Sequence, residues 1–388
     1  MSFSLKKDLT ASIIFLVLTI ILYFIPNGFE DRLPKNSLRC TGEILSVDND
    51  NILQWGIVKT GEQTVKIKVL NGKYKDRIFS AQNILLGKME LDKIFKPGDK
   101  ALVVITFKNG KIIFVTAQDH FRLGTELKLV LLFAFLLIIF GRLTGLRALL
   151  SFFFTAMIIW KIMVPCFLKG YDPLIISIST TAVITLSIIA LVAGISQKGL
   201  TAFIGSMAGI IATCLFALYF SGEMHLHGAV KPFSETLLYS GYAHLNLAKI
   251  FISCIFIGSS GAIMDISTDI AATMEELKTT NPDITFSELL NAGLRVGRTI
   301  LGTMTTTLLL AYSGSYITLL MVFMAQGVPL ANLFNLNYVA AEVLHTMVGS
   351  LGLVLVAPLT ALAGAGIYSE SYVDLPGFRT KKIPVGEL

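Results

Sequence analysis

Apolar residues fall into eight long runs, each separated from the next by a polar stretch: Leu9–Ile25, Leu127–Phe140, Leu146–Cys166, Leu174–Ile195, Leu200–Phe220, Ile250–Ala272, Thr299–Ala325 and Val343–Ile367. A helix of about 20 residues rises roughly 30 Å, the thickness of a bilayer's hydrocarbon layer. The pattern predicts a polytopic α-helical membrane protein with about eight transmembrane helices.

Between the first and second runs the pattern changes. Glu30-Asp31-Arg32-Leu33-Pro34-Lys35 is a polar linker, and beyond it Val65, Ile67 and Val69 alternate with Lys66 and Lys68. That alternation is the period of a half-buried strand. Asn71-Gly72 and Asn109-Gly110 are hairpin signals, and Pro97-Gly98-Asp99 is a further turn before Ala101–Phe107. Residues 38–120 are therefore expected to form a small all-β barrel of five or six strands, of the OB or SH3-like kind. The expected domains are an N-terminal membrane anchor helix (1–29), a β-barrel-like domain (30–122), a seven-helix transmembrane domain (123–370) and a tail (371–388).

Composition agrees with this division. The chain is 54% hydrophobic and 15% charged, too apolar for a soluble protein of 388 residues. The net charge of +6 lies largely near the ends of the apolar runs, so it reads as membrane topology and not as a nucleic-acid surface. With the N-terminus in the cytoplasm, Lys6, Lys7, Arg142, Arg147, Lys198, Lys278, Arg295, Arg298, Arg379, Lys381 and Lys382 fall inside, against Lys169, Lys231 and Lys249 outside. This orientation puts both termini in the cytoplasm and the β domain outside the cell. The opening run is followed by Ile25-Pro26-Asn27-Gly28-Phe29, without a small-x-small cleavage site, so an uncleaved anchor is expected. Cys40, Cys166, Cys214 and Cys254 have no paired spacing and read as packing residues.

The run beginning at Ile250 acquires two carboxylates, Asp265 and Asp269, before a helix can have crossed the bilayer. Asp265 stands only about 22 Å along the helix. Intramembrane carboxylates are costly, and they usually face a bundle interior or a hydrated cavity and carry a role. Asp265, Asp269 and Glu276 share one helix side, which suits a proton or cation relay with Glu276 at its cytoplasmic mouth. The bland alternative is a helix that leaves the membrane early as a solvated amphipathic segment. Thr303, Thr305, Thr306 and Thr307 in the next run can line a polar path, or can bond to their own helix. Between the two runs, Asn281-Pro282-Asp283 breaks the chain, and Thr285 with Glu288 spells a capping box for a short helix Phe286–Val296. Arg295 and Arg298 either pair with Glu275 or Glu276 at that mouth or simply follow the charge rule.

Glu223, His225, His227 and His244 are too loosely spaced to predict a metal centre. Glu342 and His345, one turn apart, suit an interfacial hydrogen-bonded pair, an outer gate or a metal site. No Gly-rich phosphate loop, GxSxG or HExxH occurs, so neither an enzyme nor a cofactor is expected.

GAIMDISTDIAATMEEL, GLRVGRTILGTMTTTLLLAYSGS and AAEVLHTMVGSLGLVLVAPLTAL resemble the YibE/F-like family of bacterial integral membrane proteins. The resemblance implies an anchor, an extracytoplasmic domain and a seven-helix block in a bacterial cell membrane. Residues 259–313 also look similar to the aspartate-bearing helix and its successor in RND-type permeases and SecD/SecF subunits. That likeness implies proton coupling at Asp265, with Thr305–Thr307 as the polar turn facing it. Two functions are thus expected from the sequence. One is a permease or permease-like component for an unknown small solute or ion; the other is a non-transporting scaffold or sensor whose β domain docks a partner or envelope ligand. The partners expected are the lipid bilayer, that solute and, from Gly349, Gly352, Gly364 and Gly366, a second copy of the chain, unless these glycines pack helices within one subunit.

Overall fold

A computed structural model describes residues 3–32 and 34–369. The expected tail and its Arg379, Lys381 and Lys382 lie outside the described residues. The chain divides into two compact units, residues 28–140 and residues 1–27 with 141–388.

Six strands organise the first unit: β1 (Ser37–Asp48), β2 (Ile52–Trp55), β3 (Val58–Val69), β4 (Ile78–Leu86), β5 (Lys100–Lys108) and β6 (Lys111–His120). β1 pairs antiparallel with both β3 and β5, and a parallel contact between β4 and β6 completes the ring. The result is a five-stranded barrel of OB-type connectivity, with the short β2 added as a hairpin on β3. A register shift between Ile44 and Ser46 lets β1 bend from one partner to the other. The alternation read from the sequence holds, since Val65, Ile67 and Val69 are fully buried. Asn109-Gly110 makes a tight turn, with φ of 52° and 76°. Asn71-Gly72 instead opens a longer connection, because the Asn71 side chain accepts a hydrogen bond from the Thr41 backbone at 2.8 Å.

A buried amide pair fixes the long connection before β5. Gln63 and Phe95 exchange two hydrogen bonds of 3.0 Å, side chain to backbone. Asn83 donates to Gln63 at 3.1 Å and to the Lys93 carbonyl at 2.7 Å. The outer face of the β2–β3–β4 strip is apolar: Leu53, Trp55, Ile57 and Leu86 are 58–80% exposed.

In the second unit α1 (Phe3–Phe24) is followed, after the barrel, by α2 (Leu123–Ile158), which begins in the first unit. α2 unites two expected runs but is broken at Arg142 (φ 48°, ψ −124°). One π turn, Ile159–Met163, carries the chain into α3 (Val164–Leu168). Then come α4 (Pro173–Val192), α5 (Gln197–Glu223), the short α6 (Ser234–Leu237), α7 (Leu247–Thr280), α8 (Phe286–Ala325), the short α9 (Leu330–Asn335) and α10 (Asn337–Ser369). Caps start them where the sequence allows: Asp172 before Pro173, Ser196, Asn246, and the Thr285–Glu288 capping box. The helix after that box does not stop at Val296 as expected. No breaker follows it, and Gly297 seats α8 against Ala357 of α10, so the helix runs on. It bends by 67° between Gly314 and Tyr316, at a Ser-Gly-Ser sequence.

Among the described residues, five helices are long and apolar enough to cross a membrane, six if bent α8 counts as one span. The α2–α3 stretch of 46 residues is counted once, although it would rise about 69 Å if straight. α1 contributes a shorter apolar stretch, Leu9–Phe24. It packs Phe15 edge-on against Phe154, and Lys161 donates to the Ile25 carbonyl just past its end.

α5, α7 and α10 cross at glycines. A Cβ on Gly205 would collide with Thr360, including its Cα at 2.9 Å, and one on Gly352 would collide with Thr213. A Cβ on Gly209 would lie 3.0 Å from Val356 and 3.2 Å from Ile263, and one on Gly364 would press on Met274. Gly352 and Gly364 thus pack helices within the chain. Gly205→Ala is expected to destabilise by about 1–3 kcal/mol through overpacking. Gly222→Ala, where a Cβ meets nothing within 4 Å, should be neutral or stabilising by up to about 1 kcal/mol. Thermal unfolding in detergent separates them, and equal shifts would contradict the packing. In the barrel, Gln63→Ala strands two Phe95 backbone groups, at a cost of about 1–3 kcal/mol each. Amide exchange should rise at Phe95 before it rises in the strands.

Candidate functional site

α7 carries the candidate site, and ion pairs mark both ends of it. Near its start Lys249 pairs with Asp172, the cap of α4. The hydrogen bond from Lys249 holds the Asp172 carboxyl below the usual carboxylate range. Near its end Glu275 meets Lys198 of α5 at 3.7 Å. Along the helix axis, Lys249 and Glu275 are separated by about 39 Å.

Between these pairs α7 has two unlike faces. Ile263, Ile266, Ser267 and Ile270 are buried against the bundle, with Ser267 accepting from Thr360 at 3.2 Å. Cys254, Gly258, Gly261, Asp265 and Asp269 form an exposed stripe at helical spacing. The structure therefore brings Asp265 and Asp269 together, one turn apart, on a face that the chain's own bundle leaves uncovered. Glu276 continues that stripe and is exposed, as are Arg295 and Arg298 on α8. Glu275 is taken by Lys198, and among the described residues no ion pair joins Glu276 to either arginine.

α8 enters the core through Leu301, Met304, Leu308 and Tyr312. Its threonines lie off that seam: Thr303, Thr306 and Thr307 are exposed and Thr305 is half-buried. Thr303 donates to the Ile300 carbonyl at 3.0 Å, Thr307 to that of Thr303 at 3.1 Å, and Thr305 to that of Leu301. These three hydroxyls bond to their own helix, and among the described residues no hydrogen bond links the threonines to the aspartates.

A second polar cluster sits toward the Lys249 end. Lys231, in the segment between α5 and α6, meets Glu342 of α10 at 2.5 Å. The other oxygen of Glu342 lies 4.0 Å from Nδ1 of His345, and the Tyr312 ring covers the imidazole with centroids 4.2 Å apart. Lys231 and Glu342 also line a cavity of about 550 Å³, walled by Phe233, Tyr316 and Tyr338. The sequence singles out Glu342 and His345 but not their partners. Lys231 registers there only as a topological charge, and Tyr312 only as part of an apolar run. A tyrosine in such a run was the available signal. His227 hydrogen-bonds with Asn337 at 3.3 Å, and His225 contacts the Glu223 carbonyl. Among the described residues, no group of three or more His, Cys, Asp or Glu is placed to hold a metal ion.

Two family models match the chain: YibE/F-like protein over residues 129–370, and YibE/F family N-terminal domain over residues 44–120. No curated protein and no solved structure matches it.

The Asp172–Lys249 pair yields a stability prediction. Because the folded carboxyl titrates below its unfolded value of about 3.9, the pair's contribution is present above that pH and lost as pH falls through the folded value. Asp172→Asn keeps a capping side chain and removes only the pair, which is partly solvent-screened and worth about 0.2–1 kcal/mol. Asp172→Ala should cost about 0.5–2 kcal/mol more through the lost cap. In unfolding series, wild type and Asp172→Asn should converge below about pH 4. A constant gap across pH would contradict the assignment.

Proposed function

The chain belongs to the YibE/F-like family, and for this member we propose a membrane permease of a small solute or ion, coupled to protons or cations through Asp265 and Asp269. The observation that carries the reading is the position of the two carboxylates between the ion pairs of α7, on its uncovered face. If those pairs sit at the two membrane interfaces, the bilayer midplane falls near Ala262. Asp265 then lies about 5 Å and Asp269 about 10 Å beyond it, both inside a hydrocarbon layer of about 30 Å. A carboxylate facing lipid at that depth is not sustainable, so the face borders a hydrated groove or a second copy of the chain. Glu276, Arg295 and Arg298 form the cytoplasmic mouth of the route.

The topology behind this reading has eight crossings in a bacterial cell membrane. The break at Arg142 divides α2–α3 into two crossings, bent α8 is one, and α1 is the anchor. Both termini are cytoplasmic and the barrel is extracytoplasmic. Charge distribution supports this orientation, with Lys198 at one end of the bundle and Lys231 and Lys249 at the other.

Reconstituted vesicles test the reading. Under a potassium diffusion potential, wild-type protein should move protons faster than protein-free vesicles. Asp265→Asn should cut that rate at least about tenfold, the loss of a required titrating group. Asp269→Asn should have a smaller effect. Wild-type rates equal to empty vesicles, or an unchanged Asp265→Asn, would end the proposal.

The apolar strip Leu53, Trp55, Ile57 and Leu86 favours a second reading, a scaffold that docks a partner through the barrel. Trp55→Asp with Ile57→Asp would then abolish cross-linking to envelope neighbours. In a pure permease it would leave vesicle flux and cellular neighbours unchanged.

A further inference from the structure

Among the described residues, neither ring nitrogen of His345 has a hydrogen-bond partner; both are buried, and the residue is only 9% exposed. An imidazole so placed forgoes about 1–3 kcal/mol for each unsatisfied polar atom. The groups facing it come from every neighbouring element. Glu342 lies on its own helix, Lys231 on the segment before α6, Tyr312 on α8, and Cys254, near enough to sense Lys231, on α7. α5 contributes no acidic or basic residue between Lys198 and Glu223.

The imidazole stands between Glu342 and the Gly258 position of α7. On one side Glu342 opens onto the 550 Å³ cavity. On the other, the ring reaches α7 where α7 has no side chain. A Cβ on Gly258 would sit 3.3 Å from Nε2 of His345 and 3.0 Å from the Tyr312 hydroxyl. Gly258 belongs to the same exposed stripe as Asp265, about 10 Å further along the helix.

We propose that His345 is a second protonation site of this chain, loaded from the cavity through Glu342, gated by Lys231, and delivering toward Asp265 along the Gly258 stripe. The proposal rests on the permease reading above and adds its cavity-side station. A proton leaves the Glu342 carboxyl group and enters Nδ1 across a 4.0 Å gap, a separation one bridging water spans. Glu342 returns to carboxylate, the ring is briefly imidazolium, and a proton departs from Nε2 on the α7 side. A ring flip or tautomer exchange restores the start. While Lys231 holds one oxygen of Glu342 at 2.5 Å, the ammonium competes with a proton for that carboxylate, so it acts as the gate.

Two readouts test this, one of them independent of transport. In vesicles, His345→Gln and His345→Asn should reduce proton flux at least tenfold, and Lys231→Met should raise it severalfold. Adding His345→Gln to Lys231→Met should remove the rise, which a merely structural role would not do. In lipid nanodiscs, ¹⁵N-histidine spectra should show the resonance absent from His345→Gln taking up a proton between about pH 8 and about pH 5 in Lys231→Met. Glu342→Gln should alter that uptake. If Asp265→Asn is inactive while His345→Gln and His345→Asn, eluting as monodisperse protein, conduct like wild type, this proposal fails and the permease reading stands. If wild type moves no protons, the permease reading fails and the spectra decide the site. Ring nitrogens unchanged over that pH range in both wild type and Lys231→Met would overturn it.

Discussion

The fold of the membrane unit depends on three helices coming closer than ordinary side chains permit. Gly205 and Gly209 of α5 and Gly352 and Gly364 of α10 leave space that Thr360, Val356, Thr213 and Met274 occupy. In lipid the hydrophobic effect does not drive helices together, so close van der Waals contact and interhelical hydrogen bonds have to. Small residues supply the first, and the Thr360–Ser267 bond between α10 and α7 is an example of the second. Gly293 and Gly297 extend the same device to α8, against Ala361 and Ala357.

That packing decides which faces are spent. α7 turns Ile263, Ile266 and Ile270 into the shared core, so the opposite side, with its two carboxylates, is left over. Many hydroxyls of these helices are quiet, because they bond one turn back along their own helix. Thr213, Ser253 and Ser259 do this, as do Thr303, Thr305 and Thr307 on α8. Among the described residues, Ser177, Thr185, Ser206 and Thr346 are buried without such a bond, and His345 joins them with both ring nitrogens open, beside a half-buried ion pair.

The barrel follows the opposite logic. Its interior is packed with Val, Ile and Phe, and a buried polar network joins Gln63, Asn83 and the backbone of Phe95. Its outer strip instead exposes Trp55 and Ile57. The apolar surface lies outside, where a neighbour or a lipid surface can reach it.

Long apolar runs, a period of two around Val65–Val69 and the family resemblance made the membrane class and the barrel legible in the chain itself, because periodicity and length are local properties. Capping worked for the same reason: Thr285 and Glu288 need only each other. The end of that helix was misjudged, since Val296–Thr299 is held helical by a contact with α10 far along the chain. The side of α7 that Asp265 and Asp269 occupy relative to each other was also legible, because helix geometry fixes it. Whether that side is covered was decided only by tertiary structure, as were the partners of Glu342 and His345. Those partners come from segments more than thirty residues away, and sequence spacing holds no information on which distant helices will meet.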